Sequence, residues 1–117
     1  MSNLFDVKGK VVAITGGGGV LCGGIAEYLA ACGTKVAVMD LKLDAAEEVV
    51  RRIVAAGGIA TAINANVLQR DSLEAAHKQC VEALGSVDVL INGAGGNHPA
   101  ATTGPDKKFF DLPIDAF

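Results

Sequence analysis

The hydrophobic positions along the chain follow two alternating patterns. Short runs rich in Val, Ile and Ala, at residues 10–14, 35–39, 59–63 and 87–91, are typical of strands buried on both faces. Between them lie three stretches in which apolar residues recur every three or four positions, as they do on one face of a helix. The pattern predicts the order strand, helix, strand, helix, strand, helix, strand.

The first predicted helix follows a glycine-rich turn. The helix ends near Gly33, and its predicted apolar face consists of Leu21, Ile25 and Leu29 with Cys22, Ala26 and Ala30 beside them.

The second and third predicted helices have their own start and end signals. We expect Asp44 to cap the second helix, which ends at the glycine pair 57–58. Residues 71–74 have the spacing of a capping box, with Asp in place of Ser or Thr, and Gly85 ends the third helix.

Helical connections between short apolar strands imply parallel pairing with right-handed crossovers. We therefore expect an α/β fold, a partial doubly wound Rossmann-type parallel sheet in the order 3-2-1-4 with flanking helices. Ligands of such sheets bind at the carboxyl ends of the strands. The turn at residues 15–19, Asp40, Asn66 and the loop at residues 92–96 all fall at that end, which groups them in one predicted site.

Composition and charge narrow the function classes. The chain has 117 residues, half of them hydrophobic, and a net charge of −3 with no block of Lys or Arg, which argues against a nucleic-acid partner. The longest charge-free stretch, residues 11–26, contains four consecutive glycines and is too short for a membrane span, and the charged N-terminus is unlike a signal peptide. We expect a cytoplasmic protein whose partner is a small molecule.

The cysteines and histidines give weaker signals. Cys22, Cys32 and Cys80 are odd in number and widely spaced, and we expect small buried residues of a reduced compartment and not disulfides or metal ligands. His77 is interpreted as structural. His98 is either a substrate-binding residue or a solvated turn residue beside a proline, and neither histidine has the spacing of a metal site.

The glycine-rich turn predicts an anion site. A strand that passes into a helix through glycines leaves the first N–H groups of the helix exposed to a phosphate. The turn does not match G-x-G-x-x-G in any register, and Gly24 stands where a phosphate-binding G-x-x-x-x-G-K loop needs Lys. Asp40 follows the turn near the spacing at which a carboxylate binds an adenosine ribose, which favours NAD over NADP; alternatively, Asp40 only terminates its strand.

Two motifs carry a family resemblance. Residues 15–22 match the first half of T-G-x-x-x-G-x-G, and residues 92–95 match three of the four positions of N-N-A-G. In these motifs the chain resembles the short-chain dehydrogenase/reductase family. Within it, residues 15–22 and 92–99 are most similar to bacterial D-mannonate oxidoreductases, also called fructuronate reductases.

The resemblance implies a cofactor site for NAD, with NADP disfavoured. The pyrophosphate would lie on the glycine turn, the adenosine ribose on Asp40, the adenine on Asn66 and Val67, and the rest of the cofactor on the loop after the fourth strand. The implied cofactor-binding residues are Gly16, Gly18, Gly19, Val20, Leu21, Asp40, Asn66, Val67, Asn92, Gly93, Ala94 and Gly95.

Four positions depart from the family pattern. Val20 and Cys22 replace its second and third glycines, and Val20 in helical geometry would mainly crowd the pyrophosphate. Cys22 would be a small residue packed between helix and strand. Asn66 replaces an Asp, although an amide can still contact adenine, and Gly93 replaces an Asn and so removes one side-chain hydrogen bond.

The resemblance also implies catalysis by a Tyr-x-x-x-Lys pair, which this sequence lacks. Its single tyrosine, Tyr28, lies in the first predicted helix. We expect residues 1–96 to be the dinucleotide-binding half of an oxidoreductase that is inactive alone, and residues 97–117 to be a loop and apolar tail leading to a missing C-terminal half. The parent enzyme would be a homo-oligomer acting on a sugar acid; the alternatives are a non-catalytic dinucleotide-binding module and an inactive truncation.

Overall fold

The structure is a computed structural model that describes residues 6–95. It contains four strands and three helices in the predicted order. They are β1 (Val11–Thr15), α1 (Val20–Ala31), β2 (Lys35–Asp40), α2 (Leu43–Ala55), β3 (Ile59–Asn64), α3 (Arg70–Leu84) and β4 (Val89–Asn92). All strand pairs are parallel and the sheet order is β3-β2-β1-β4, so the predicted topology is confirmed.

Helices cover both faces of the sheet. α1 and α2 pack on one face, around Ile14, Val36, Val38, Val49 and Ile53. α3 packs on the other face, where Ala76 and Cys80 meet residues of β1, β2 and β3. Every residue of β1 is buried, as expected for a central strand of a parallel sheet.

The predicted apolar face of α1 is confirmed except at Leu21. Ala26 and Ala30 are buried and Cys22, Ile25 and Leu29 pack against the same core, whereas Leu21 is 76% exposed and Gly23, which was not predicted, is buried. A Cβ on Gly23 would lie 3.1 Å from the Val49 Cγ2 atom, so α1 approaches α2 through its smallest residues. This close approach leaves the larger apolar side chains on the flanks of the helix.

Both predicted helix caps are wrong. α2 begins after Lys42, and Asp44 lies inside its first turn, where its Oδ1 accepts the N–H of Ala45. α3 begins after Gln69, and no side chain caps it. Ser72 is turned away from its own helix end, because its Oγ accepts the N–H of Asn66 at 2.8 Å.

The sheet reverses its direction of growth at β1. β2 and β3 follow on one side of β1, whereas the chain returns to place β4 on the other side. In doubly wound sheets a crevice opens at this reversal point, outside the carboxyl ends of the strands.

Of the helices within residues 6–95, none combines the length and apolar character needed to cross a membrane. The predicted loop and tail at residues 97–117, including His98, lie outside the described residues.

Candidate functional site

A cavity of about 750 Å³ lies at the carboxyl ends of the strands. Its walls come from the ends of β1 and β2, the segment after β3 and the loop after β4. The lining residues are Thr15, Gly16, Gly19, Met39, Asp40, Leu41, Ala65, Asn66, Val67, Leu68, Gly93, Ala94 and Gly95. The cavity is therefore the crevice that the reversal at β1 predicts.

The N-terminus of α1 lies beside this cavity without a side-chain cap. Gly19 is the N-cap residue, with φ −76° and ψ 171°, and no side-chain hydrogen bond closes the helix end. The first N–H groups of a helix lack intrahelical partners, and the helix dipole adds partial positive charge there. Val20 follows in helical geometry with its side chain 99% exposed, and every positive φ among the described residues belongs to glycine. Valine is therefore accommodated here without backbone strain.

Asp40 is held by two backbone N–H groups. Its Oδ2 accepts the N–H of Gly18 at 3.0 Å, and its Oδ1 accepts the N–H of Lys42 at 2.9 Å. The first bond joins the end of β2 to the glycine turn, which is also tied to β2 by the Gly17 N–H donating to the Met39 carbonyl at 3.0 Å. The carboxylate thus has a fixed orientation at the cavity wall and does more than end its strand.

Thr15 holds the loop after β4 in place through hydrogen bonds. Its buried hydroxyl accepts the N–H of Gly93 at 3.1 Å and the N–H of Ala94 at 3.2 Å, and it lies 3.5 Å from the Ile91 carbonyl oxygen, to which it donates. The Thr15 carbonyl also accepts the Gly93 N–H at 3.1 Å. The last residue of β1 therefore fixes the cavity wall that β4 contributes.

The segment after β3 forms the remaining wall. Asn66 organises it, since its Oδ1 accepts the N–H of Leu68 at 3.0 Å and its carbonyl accepts the N–H of Gln69 at 3.0 Å. Leu41, which follows β2 and also lines the cavity, is 65% exposed, and Val67 is 39% exposed. Exposed apolar side chains on two walls of one cavity suit a flat ligand group between them.

The cavity brings together most of the residues predicted from sequence. Eight of them line it: Gly16, Gly19, Asp40, Asn66, Val67, Gly93, Ala94 and Gly95. Four others do not line it: Gly18 binds the Asp40 carboxylate, Val20 and Leu21 form the first turn of α1, and Asn92 ends β4. Sequence reasoning gave no role to the Thr15 hydroxyl, and it missed the exposed Leu41 side chain next to Asp40.

The three cysteines have different environments. Cys80 is fully buried, Cys22 is half-buried and Cys32 is exposed at the end of α1, so the expectation of three buried cysteines is wrong for Cys32. All three are free thiols. Burial raises the pKa of the Cys80 thiol above its ordinary value of 9.0.

Comparison with known proteins gives consistent results. A family model described as short chain dehydrogenase matches residues 10–115. An uncharacterized oxidoreductase of Bacillus subtilis, UxuB, is 46% identical over 120 residues, covering 96% of this chain and 43% of that protein. The 7alpha-hydroxysteroid dehydrogenase of Escherichia coli K12 is 37% identical over 116 residues, covering 99% of this chain and 42% of that protein. The chain thus spans less than half the length of these relatives.

A solved structure extends the comparison to the cofactor. A protein from Haemophilus influenzae, provisionally named a D-mannonate oxidoreductase and solved with bound NAD, superimposes with a TM-score of 0.80 at 36% identity, covering 95% of this chain and 43% of that one. The Rossmann-type fold is confirmed by this likeness. The predicted nicotinamide cofactor is confirmed at the level of the family, which uses NAD(P). With nearly the whole chain matched by the family model, the chain belongs to the short-chain dehydrogenase family.

Proposed function

We propose that this chain forms the half of an NAD-dependent oxidoreductase that binds the ADP part of the cofactor. One observation carries the proposal: the fixed Asp40 carboxylate and the uncapped N-terminus of α1 lie at the same cavity. The helix end offers N–H donors to the pyrophosphate, and the glycine turn lets the phosphates approach the backbone.

Asp40 would bind the adenosine ribose. Each of its oxygens accepts one backbone N–H and retains acceptor capacity for a ribose hydroxyl. A phosphate at the 2′ position would bring a second negative charge against this carboxylate. The site therefore favours NAD over NADP.

The adenine would lie between the walls that Leu41 and Val67 provide. Both side chains expose apolar surface at the cavity. The Oδ1 of Asn66 is engaged with the Leu68 N–H, so the amide NH₂ would be the donor to a ring nitrogen of the base. The loop at residues 93–95 would contact the remainder of the cofactor.

The reaction proposed for the parent enzyme is hydride transfer between the nicotinamide and a ketone or secondary alcohol of a sugar acid, with fructuronate and mannonate as the preferred pair. The Haemophilus influenzae structure, provisionally named a D-mannonate oxidoreductase, supports this substrate class. The single tyrosine, Tyr28, is 72% exposed on α1 and does not line the cavity. We therefore propose that this chain binds cofactor and that proton transfer requires residues outside it.

The cofactor assignment is tested by titrating NAD and NADP into the chain and its Asp40→Ala variant, with Asp44→Ala as a control that removes the same charge from an exposed position of α2. Losing hydrogen bonds from a charged group is expected to weaken NAD binding about tenfold or more. NADP binding should change much less, so that the preference for NAD narrows. An unchanged ratio in Asp40→Ala would remove Asp40 from the site.

The substrate assignment is tested on the longer enzyme that we propose contains this chain. NADH oxidation with fructuronate should exceed oxidation with a 7-oxosteroid, and the 117-residue chain should show no turnover with either. We also expect the chain to bind NAD more weakly than the longer enzyme or not at all, because the chain supplies only one part of the crevice wall. Preference for the steroid would contradict the sugar-acid proposal while leaving the cofactor proposal intact.

A further inference from the structure

Gly93 lies in a slot that leaves no space for a side chain. Its N–H is bound to both oxygens of Thr15, which fixes its position against the end of β1. A Cβ at this residue would overlap the Cys22 Sγ atom and would lie 2.7 Å from the Thr15 carbonyl oxygen. On the other side, a Cβ at Gly16 would lie 2.7 Å from the Gly93 carbonyl oxygen. The glycine is needed here for space, because its φ is not among the positive values.

On the side that faces α1, a Cβ at residue 93 would overlap one atom, a sulfur. The sulfur belongs to Cys22, the third residue of α1, and the Cys22 Cβ lies at an ordinary 3.4 Å from the same point. A cysteine near the start of a helix has few alternative positions for its sulfur, because one of the three χ1 rotamers is rare in helices. A small shift of the loop would relieve the contact with the Thr15 oxygen, whereas the overlap with the sulfur requires Cys22 to leave its present rotamer for the one common alternative.

We propose that Cys22 and Gly93 form a matched pair, in which the Cys22 side chain fills the volume that a side chain at position 93 would otherwise occupy. In the family pattern these two positions hold Gly and Asn, so the larger residue is in the loop. In this chain the larger residue is in the helix. The departures from the family pattern at Cys22 and Gly93 look independent in the sequence. They are coupled in the structure, because α1 has the side chain that the loop after β4 lacks.

The pair makes Cys22 a positioning residue, because it relates the N-terminus of α1 to the loop after β4 at the cofactor site. This second part of the proposal rests on the proposed function. Cys22 lies in the first turn of α1, whose N–H groups are proposed to bind the pyrophosphate, and Gly93 lines the cavity. The contact between them sets the distance from the helix end to the loop wall. A change at either residue alone alters that distance, whereas exchanging both preserves it.

A double-mutant cycle on the 117-residue chain tests the pair, using Gly93→Asn, Cys22→Gly and the double variant. Thermal unfolding and NAD titration are measured for each. Gly95→Asn is the matched control for the unfolding temperature alone, because it adds the same side chain to the same loop at a position with nothing within 4 Å of its Cβ. Cys22→Ser is the conservative variant, and it should retain NAD affinity within about threefold, as expected for a near-isosteric replacement.

Overpacking should make Gly93→Asn weaken NAD binding about tenfold or more and lower the unfolding temperature, while Gly95→Asn leaves the unfolding temperature unchanged. The double variant should recover both to near the unmodified chain. If Gly93→Asn does not fold, recovery of folding in the double variant supports the pair. Strictly additive effects in the cycle, or equal losses of unfolding temperature in Gly93→Asn and Gly95→Asn, would overturn the proposed pair. Absence of NAD binding by both the unmodified chain and the longer enzyme would refute the proposed function, and the unfolding temperatures would still decide whether Cys22 and Gly93 form a packing pair.

Discussion

Replacing Thr15 with valine should detach the loop after β4 from β1 while nearly preserving side-chain shape. The hydroxyl accepts two backbone N–H groups, those of Gly93 and Ala94, at 3.1 and 3.2 Å. The Gly93 N–H keeps a second acceptor, the carbonyl of residue 15, but the Ala94 N–H loses its protein partner.

The size of the effect follows from these contacts. A hydrogen bond contributes about 0.5–1.5 kcal/mol net, and one of the two donors retains an acceptor, so we expect a loss of about 1–2 kcal/mol in the free energy of unfolding. Each kcal/mol lowers the unfolding temperature by about 4–8 °C in a domain of this size. NAD affinity should fall as well, since the loop lines the cavity.

Thr34→Val is the matched control. Thr34 is 1% exposed, and its Oγ1 has no hydrogen-bond partner within residues 6–95. Removing a buried hydroxyl without a partner relieves a desolvation cost, so this variant should be neutral or more stable. Urea unfolding followed by circular dichroism compares the two. Equal changes in the free energy of unfolding for Thr15→Val and Thr34→Val would refute the inference that the Thr15 hydroxyl holds the loop after β4 in place by hydrogen bonding.

Two further predictions concern Gly16 and Cys80. Gly16→Ala should destabilise the chain more than Gly9→Ala, as measured by urea unfolding. Both glycines have positive φ, +66° and +79°, but only the new Cβ at Gly16 would meet backbone, 2.7 Å from the Gly93 oxygen. The excess should be about 1–3 kcal/mol, and equal losses would show that φ alone requires the glycine. Because burial raises the pKa of the Cys80 thiol above 9.0, the folded chain binds a proton more tightly than the unfolded chain. The contribution of this thiol to stability is therefore full below pH 9.0 and declines as the pH rises through the folded pKa. Cys80→Ala should lack that part of the alkaline decline in unfolding free energy, and an identical pH profile would contradict it.

The succession of strands and helices and their parallel pairing were predictable from the sequence because each signal for them is local. Apolar runs marked the strands, helical periodicity between them required parallel pairing, and glycines such as Gly33 and Gly85 marked helix ends. The positions of Asp40 and Asn66 at the cavity followed from the same topology, since both lie after a predicted strand.

The errors occurred where a distant partner decides the role of a residue. Asp44 had the right position for a cap, but the Lys42 N–H binds Asp40 and α2 begins before Asp44. Leu21 fits an apolar helical stripe, yet α1 packs through Gly23 because Val49 of α2 lies close to it. The hydroxyl of Thr15 finds its partners 78 and 79 residues further along the chain, a separation that no local pattern reveals.

The position of β4 at the edge of the sheet has a consequence for the order of folding. Pairing β2 with β3 joins residues 24 positions apart, as between Asp40 and Asn64, whereas the β1–β4 pairing joins Val11 and Asp88, 77 positions apart. Closing the longer loop costs about 1 kcal/mol more in chain entropy. β4, which leads into the cavity wall that contains Gly93, is therefore expected to dock last during folding. Its amide protons are expected to exchange with solvent first. A ligand that contacts both the loop after β4 and the cavity wall at the ends of β2 and β3 would slow that exchange. It would connect β4, which docks last, to the strands that pair early.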